Sequence, residues 1–160
     1  MLLVSGVVNP PERKWSVAVV LISVFLLLVG CAGNRLPDVH IESAEDSNQS
    51  SALTVDLIVV SDASLKQRVM ALTAPEWFAQ KNQLMMAYGD QLKVHSTQVP
   101  PLMILRSIDL PYEYRDTASL LLFANYISAT GQRPAVLDSF DSVMIRLERN
   151  QYRLSEAGNH

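Results

Sequence analysis

One thiol stands apart among the side chains able to do chemistry. Cys31 is the only cysteine in 160 residues, so no intramolecular disulfide can form. It directly follows Leu28-Val29-Gly30, where a long apolar run ends. A thiol is the only strong nucleophile in that neighbourhood, and Gly30 beside it has no side chain. Nothing comparable supports catalysis by the chain itself. Catalysis needs ionisable groups brought together with matched pKa values. Of the three histidines, His40 and His95 have strand-like neighbours and read as partly exposed strand residues, while His160 is terminal. No His-x-x-x-His or Cys-x-x-Cys spacing exists to begin a metal site. Neither a Gly-x-Ser-x-Gly elbow nor a phosphate-cradling glycine loop occurs. Asp138 and Asp141, near Phe140, read as a solvated loop, and Asn48-Gln49-Ser50 fits a glycosylation triplet but reads as plain polar loop. The expectation is a protein that is not an enzyme, with no catalytic residues, no metal, no cofactor and no small-molecule substrate.

The segment that positions Cys31 is a leader. Val17–Val29 is apolar apart from Ala18 and Ser23, and Arg13-Lys14 precede it. A charged start, a short apolar stretch and small residues after it form a secretory signal. A spanning helix needs about 20 apolar residues, more than this run provides. Asn9-Pro10-Pro11-Glu12 is an unusual prelude and suits a translation start further along. Leu28-Val29-Gly30-Cys31 resembles the lipobox of bacterial lipoproteins. That resemblance implies a diacylglyceryl group on the Cys31 sulfur and signal peptidase II recognition through Leu28, Val29 and Gly30. Cleavage before Cys31 follows, and then acylation of the new amine, typically with palmitate. Two or more acyl chains make anchoring stable where one is marginal. Ala32 stands where Asp would retain an enteric lipoprotein in the inner membrane, so the implied destination is the periplasmic face of the outer membrane.

Residues 31–160 make one core-sized domain. With Arg13, Lys14 and Glu12 set aside, eleven Lys/Arg face fifteen Asp/Glu, a net charge of about −4. No basic excess exists to neutralise phosphates, which argues against nucleic acid. An acidic module also has little attraction for anionic lipid, so membrane attachment must come from hydrocarbon. The mean hydropathy of +0.14 owes much to the leader.

Residues 31–37 read as a lipidated tether and 38–156 as a β-sandwich domain. Val39-His40-Ile41 alternates as a short strand, and a polar loop covers 43–52. Leu53–Val60 is the clearest strand. Leu65, Val69 and Leu72 mark one helix face. Thr73-Ala74-Pro75-Glu76 looks like a capping box opening a second helical stretch, from which Trp77, Phe78, Leu84 and Met85 face the core. Strands resume at Leu92-Lys93-Val94-His95, closed by Pro100-Pro101. Met103–Leu110 and Ser119–Tyr126 follow, and then a loop at 130–134. Val143–Leu147 and Tyr152–Leu154 form a hairpin turning at Arg149-Asn150. About seven to eight short strands with one helical excursion after the second argue for a mainly β sandwich.

That order of elements resembles the outer-membrane lipoprotein of the type VI secretion system, the TssJ (SciN-like) family. The layout matches along residues 31–154: tether, strand, Asp/Asn-bearing loop, strong strand, helix with Phe78, Pro-marked turn, later strands. Val59-Val60-Ser61 stands where the family commonly has Tyr-Gln-Leu, and Pro100-Pro101 where Pro-Gly is common. Gln49-Ser50-Ser51 replaces a Gly-Arg-Pro, and the aromatic–Arg pair after the long apolar strand is absent, with Phe123 and Tyr126 left to supply packing. The resemblance implies a transthyretin-like β-sandwich and a structural role, holding the periplasmic domain of the inner-membrane protein TssM. By position, the partner-binding loop is Glu45, Asp46, Ser47 and Asn48; without the family these residues read equally as a solvated loop. An unrelated ligand-binding or envelope-assembly lipoprotein remains the alternative, distinguished by a closed apolar cavity with convergent polar groups.

Overall fold

Strand β2, Leu53–Val60, is buried along almost its whole length. A strand covered on both faces must be apolar throughout rather than alternating, and its continuation into Ile58-Val59-Val60 reflects that. The computed structural model describes residues 36–108, 110 and 119–158. The segment expected to be a leader, Leu28-Val29-Gly30-Cys31 and most of the expected tether lie outside these residues.

Among the described residues two four-stranded sheets form the molecule. One runs in the order β4–β1–β7–β8, from Ile104–Leu105, Asp38–Ser43, Ser142–Leu147 and Tyr152–Glu156. The other runs β3–β2–β5–β6, from Leu92–Val99, Leu53–Val60, Ser119–Ala124 and Ala135–Val136. All neighbours are antiparallel except β1 and β7, which pair in parallel from Asp38↔Ser142 to Ser43↔Leu147. Val39, Ile41, Val143, Ile145 and Leu147 of the first sheet meet Leu53, Val55, Leu57, Leu120 and Leu122 of the second.

A second core lies on the outer side of β2 and β5 under two helices, α1 (Ala63–Met70) and α2 (Ala74–Tyr88). Asp62 caps α1, its carboxylate accepting the Leu65 N–H at 2.7 Å. This contact and the Ser64 hydroxyl, the larger influence, hold the carboxyl below its usual range. At the start of α2, Glu76 reaches back to the Thr73 N–H at 2.8 Å, the return arm of a capping box. Trp77 stacks on Phe123 with ring centres 5.3 Å apart. Its indole N–H donates at 2.8 Å to the fully buried Asp56. Lys81 and Ser96 complete the Asp56 carboxylate at 3.1 and 2.5 Å. A buried carboxylate is tolerable only when paired and hydrogen-bonded in this way.

Several sequence expectations need correction. The strand expected over Met103–Leu110 shrinks to two residues, because Ser107 turns to a φ of 53°. Ser107 is held there by its N–H to His40 Nδ1 and its hydroxyl to Asp38. Met85 is 38% exposed rather than core, since Leu84 takes the inward position. The two helical stretches expected after β2 are present as α1 and α2. Asp138 is no solvated loop residue: it accepts the Leu120 N–H at 2.7 Å and pairs with Lys66 at 2.8 Å, tying α1 to β5. Strand β6 is a pair of residues too short to show a period.

The registers sort the loops by end. β1, β3, β5 and β7 finish, and β2, β4, β6 and β8 start, at the same end of the sandwich. Residues 44–52, 100–103, 125–134 and 148–151 therefore cluster there. The start of β1, which follows the tether, lies at the other end.

Candidate functional site

The loop-bearing end is the part of the described molecule most unlike a plain sandwich. Its centre is the β1–β2 loop. Asn48, Gln49 and Ser50 all have positive φ, 46°, 59° and 61°, so the chain makes one left-handed turn over Ser47–Ser50. For residues with a Cβ this costs about 1–2 kcal/mol each, less for Asn. Strain of this kind persists only where surroundings over-determine it.

The surroundings here are hydrogen bonds. The N–H groups of Asn48 and Gln49 donate to the carbonyls of Glu148 and Arg149 at 3.2 and 3.3 Å. Asn48 Oδ1 accepts the Ile127 N–H at 2.9 Å, and its Nδ2 donates to Ala52 at 3.2 Å. Ser43 and Ser47 join their hydroxyls at 2.7 Å in a buried pair. Five such bonds at about 1 kcal/mol each offset the cost of the turn.

Neighbouring loops are fastened to one another as well. Tyr126 donates its hydroxyl to Gln151 O at 2.7 Å, and Tyr152 to Arg133 O at 2.6 Å. Burial pushes the Tyr152 phenol up to about 12 and raises that of Tyr126 further, with the Glu148 carboxylate adding to the latter. Gly131 packs flat against the Tyr126 ring, where a Cβ would collide with ring carbons and come within 2.9 Å of Asn150 O.

On this frame sit the exposed groups. Glu45 and Asp46 are exposed, and among the described residues their side chains have no hydrogen-bond or ion-pair partner. Ser47 and Asn48 are buried, at 0% and 3% exposure. So the four residues expected to form a partner loop divide into two presented carboxylates and two internal struts. Leu102 and Ile127 project from the flanking loops, 71% and 61% exposed. Beside the loop an open groove of about 520 Å³ is bordered by Asp46, Arg146, Glu148 and Arg149. Sequence reasoning missed Leu102 and Ile127, because a lone aliphatic residue in a loop carries no mark of whether it is buried. The αL turn left a trace only in Asn48, a residue type that tolerates positive φ.

A second polar group lies on the outer face of β1. His40 Nε2 is 3.3 Å from Asp38, and Ser107 Oγ donates to the same carboxylate at 2.8 Å. This is not a nucleophile relay. The serine hydroxyl faces the carboxylate rather than the imidazole, and His40 Nδ1 is already occupied by the Ser107 N–H at 3.2 Å. His95 sits in β3 beside Thr97 Oγ1 at 3.1 Å. Among the described residues no group of three or more His, Cys, Asp or Glu could hold a metal ion, and no helix is long and apolar enough to cross a membrane.

No family model and no curated protein matches the chain in sequence. Solved structures do match it in fold. The type VI secretion system lipoprotein TssJ1 of Pseudomonas aeruginosa superposes with a TM-score of 0.55 at 16% identity, over 76% of this chain and 95% of that one. Lip of Serratia marcescens, a membrane-bound component of the type VI secretion system, superposes with a TM-score of 0.57 at 10% identity, over 77% and 97%. The fold of this chain is thus a transthyretin-like β-sandwich, the fold also of these two type VI secretion lipoproteins.

Proposed function

We propose that this chain is a lipid-anchored structural subunit of a type VI-like secretion-system membrane complex. Acyl chains on Cys31 hold it on the periplasmic face of the outer membrane. Its loop-bearing end holds the periplasmic domain of a TssM-like inner-membrane protein. The observation that carries this reading is the match of nearly the full length of two type VI secretion lipoproteins to this one domain.

The architecture supports the division of labour. β1 starts at Asp38, seven residues after Cys31. Such a tether spans at most about 25 Å when fully extended, which keeps the β1-start end near the bilayer. The presented carboxylates and aliphatic side chains are at the opposite end. With a mildly acidic domain, hydrocarbon rather than charge supplies the membrane affinity. The loop end offers an open polar groove rather than an enclosed apolar cavity, which suits a protein contact better than a small ligand.

The test has two arms. Wild-type protein from cells fed radioactive fatty acid should carry label that Cys31→Ser lacks, and should fractionate with the outer membrane. Purified from gently solubilised membranes, it should bring down the inner-membrane secretion component. Absence of label on the wild type defeats the anchor, and failure to bring down that component defeats the assembly role.

A further inference from the structure

Two large aliphatic side chains stand in water at the loop-bearing end, which also presents Glu45 and Asp46. Leu102 lies between β3 and β4, beside the end of β1, where Ser43 donates its N–H to Met103 O at 2.8 Å. It is 71% exposed and holds a φ of 64°. Ile127 lies just after β5, 61% exposed, its N–H fixed by Asn48. Because β3 and β5 flank β2 on its two sides, the two loops start about 10 Å apart, two strand spacings. The β1–β2 loop enters β2 between them and leaves Glu45 and Asp46 in water. A left-handed, solvent-facing leucine gains the fold nothing from burial and holds a strained backbone. Preorganised backbone beneath exposed aliphatic groups is what a protein-binding surface needs, since little ordering entropy is then lost on docking.

We propose that Leu102 and Ile127 are the apolar anchors of the partner interface, and that the partner is a folded protein surface with an apolar patch bordered by basic side chains. The chemistry selects that occupant. Glu45 and Asp46, without internal partners, favour cations opposite them, while the exposed Arg149 beside Asp46 in the groove calls for a carboxylate in return. Aliphatic anchors buried in the contact would supply affinity, and the charges beside them rate and specificity. This inference rests on the reading of that end as the partner-binding end.

The experiment uses the full-length lipidated chain in lipid nanodiscs. The probe is the purified periplasmic domain of the inner-membrane secretion component, with vesicles of phosphatidylcholine alone or mixed with phosphatidylglycerol as the second ligand. Leu102→Asn, which suits the left-handed backbone, combined with Ile127→Ser should weaken domain binding at least tenfold with an unchanged melting curve. Glu45→Gln with Asp46→Gln should weaken it less and flatten its dependence on salt. If the domain binds the wild type and the aliphatic double variant equally, the anchors are overturned while the assembly role stands. Should charge reversal by Glu45→Lys with Asp46→Lys leave binding as tight or tighter, the basic character of the partner is overturned. If the wild type fails to bind the domain at all, the assembly role falls and the anchors with it. Vesicle binding that the aliphatic double variant abolishes would make the surface a lipid contact and overturn the proposal.

Discussion

The side-chain oxygen of Asn48 accepts the backbone N–H of Ile127 at 2.9 Å, so a residue in the loop between β1 and β2 fixes the chain leaving β5. The same side chain donates to Ala52 O at 3.2 Å, and the backbone around it is tied to the β7–β8 turn. Asn48, through its side chain and the backbone around it, thus joins three segments from two sheets. Most of the geometry of the loop-bearing end depends on it.

Asn48→Ala should lower stability by about 2–4 kcal/mol. The Ile127 N–H loses its acceptor, worth about 1–3 kcal/mol when left unsatisfied, and Ala tolerates the left-handed backbone less well than Asn. Asn48→Gly loses the same side-chain bonds but suits the left-handed backbone and should cost less. Urea midpoints of the three proteins test this, and equal midpoints would refute it. The same reasoning makes removal of residues 45–49 a poor probe of binding, since it strips out these struts. Substitutions at Glu45 and Asp46 leave them in place.

Trp77 has two roles that substitution can separate. Trp77→Phe keeps an aromatic ring against Phe123 but takes the donor from buried Asp56, for an expected loss of about 1–3 kcal/mol. Trp77→Ala loses the ring as well, about 3–5 kcal/mol. Asp56→Ala breaks a buried ion pair with Lys81, with a loss of similar size to the second. Denaturant melts that rank Trp77→Phe as severe as Trp77→Ala would show that the hydrogen bond, not the stacking, carries the site.

Gly131→Ala should destabilise by about 1–3 kcal/mol through overpacking. The new Cβ meets the Tyr126 ring and the Asn150 carbonyl. Because the ring is the obstacle, Tyr126→Ala combined with Gly131→Ala should cost less than the sum of the two single changes. Additive losses would place the clash on the backbone instead.

Alkaline pH should loosen the loop-bearing end first. Burial raises the phenols of Tyr152, to about 12, and Tyr126, above the ordinary value near 10. The folded state therefore favours the protonated form. That stabilisation is complete below about pH 10 and is lost as pH rises through 10 toward 12 and beyond. Denaturant midpoints should fall across that window, and Tyr152→Phe should make the fall shallower while lowering stability at neutral pH through the lost bond to Arg133. An unchanged alkaline slope in Tyr152→Phe would exclude it as the source.

Much of the layout was legible in the residues. Leu53–Val60 announced itself by length and composition, and coincides with β2. The Thr73–Glu76 pattern located the start of α2 because capping is local chemistry. Sandwich architecture followed from counting short strands. What failed to show did so for a reason. Ser107 breaks the expected 103–110 strand through bonds to Asp38 and His40, nearly seventy residues away. Met85 and Leu84 are both apolar neighbours, and only the rotation of α2 on the sheet assigns one to the core. Asp138 reads as a loop carboxylate until Lys66 and the Leu120 N–H are folded against it.

The candidate site divides the same way. The linear chain by itself determined the leader pattern, the lone Cys31 with Leu28-Val29-Gly30 before it, and the polar character of the β1–β2 loop, because each depends on residue type at neighbouring positions. Tertiary structure alone decided that Ser47 and Asn48 turn inward while Glu45 and Asp46 stay in water, and that Leu102 and Ile127 flank them at one end. Burial and proximity depend on which strands lie side by side, and strand pairing across tens of residues is set by the whole core rather than by any local run.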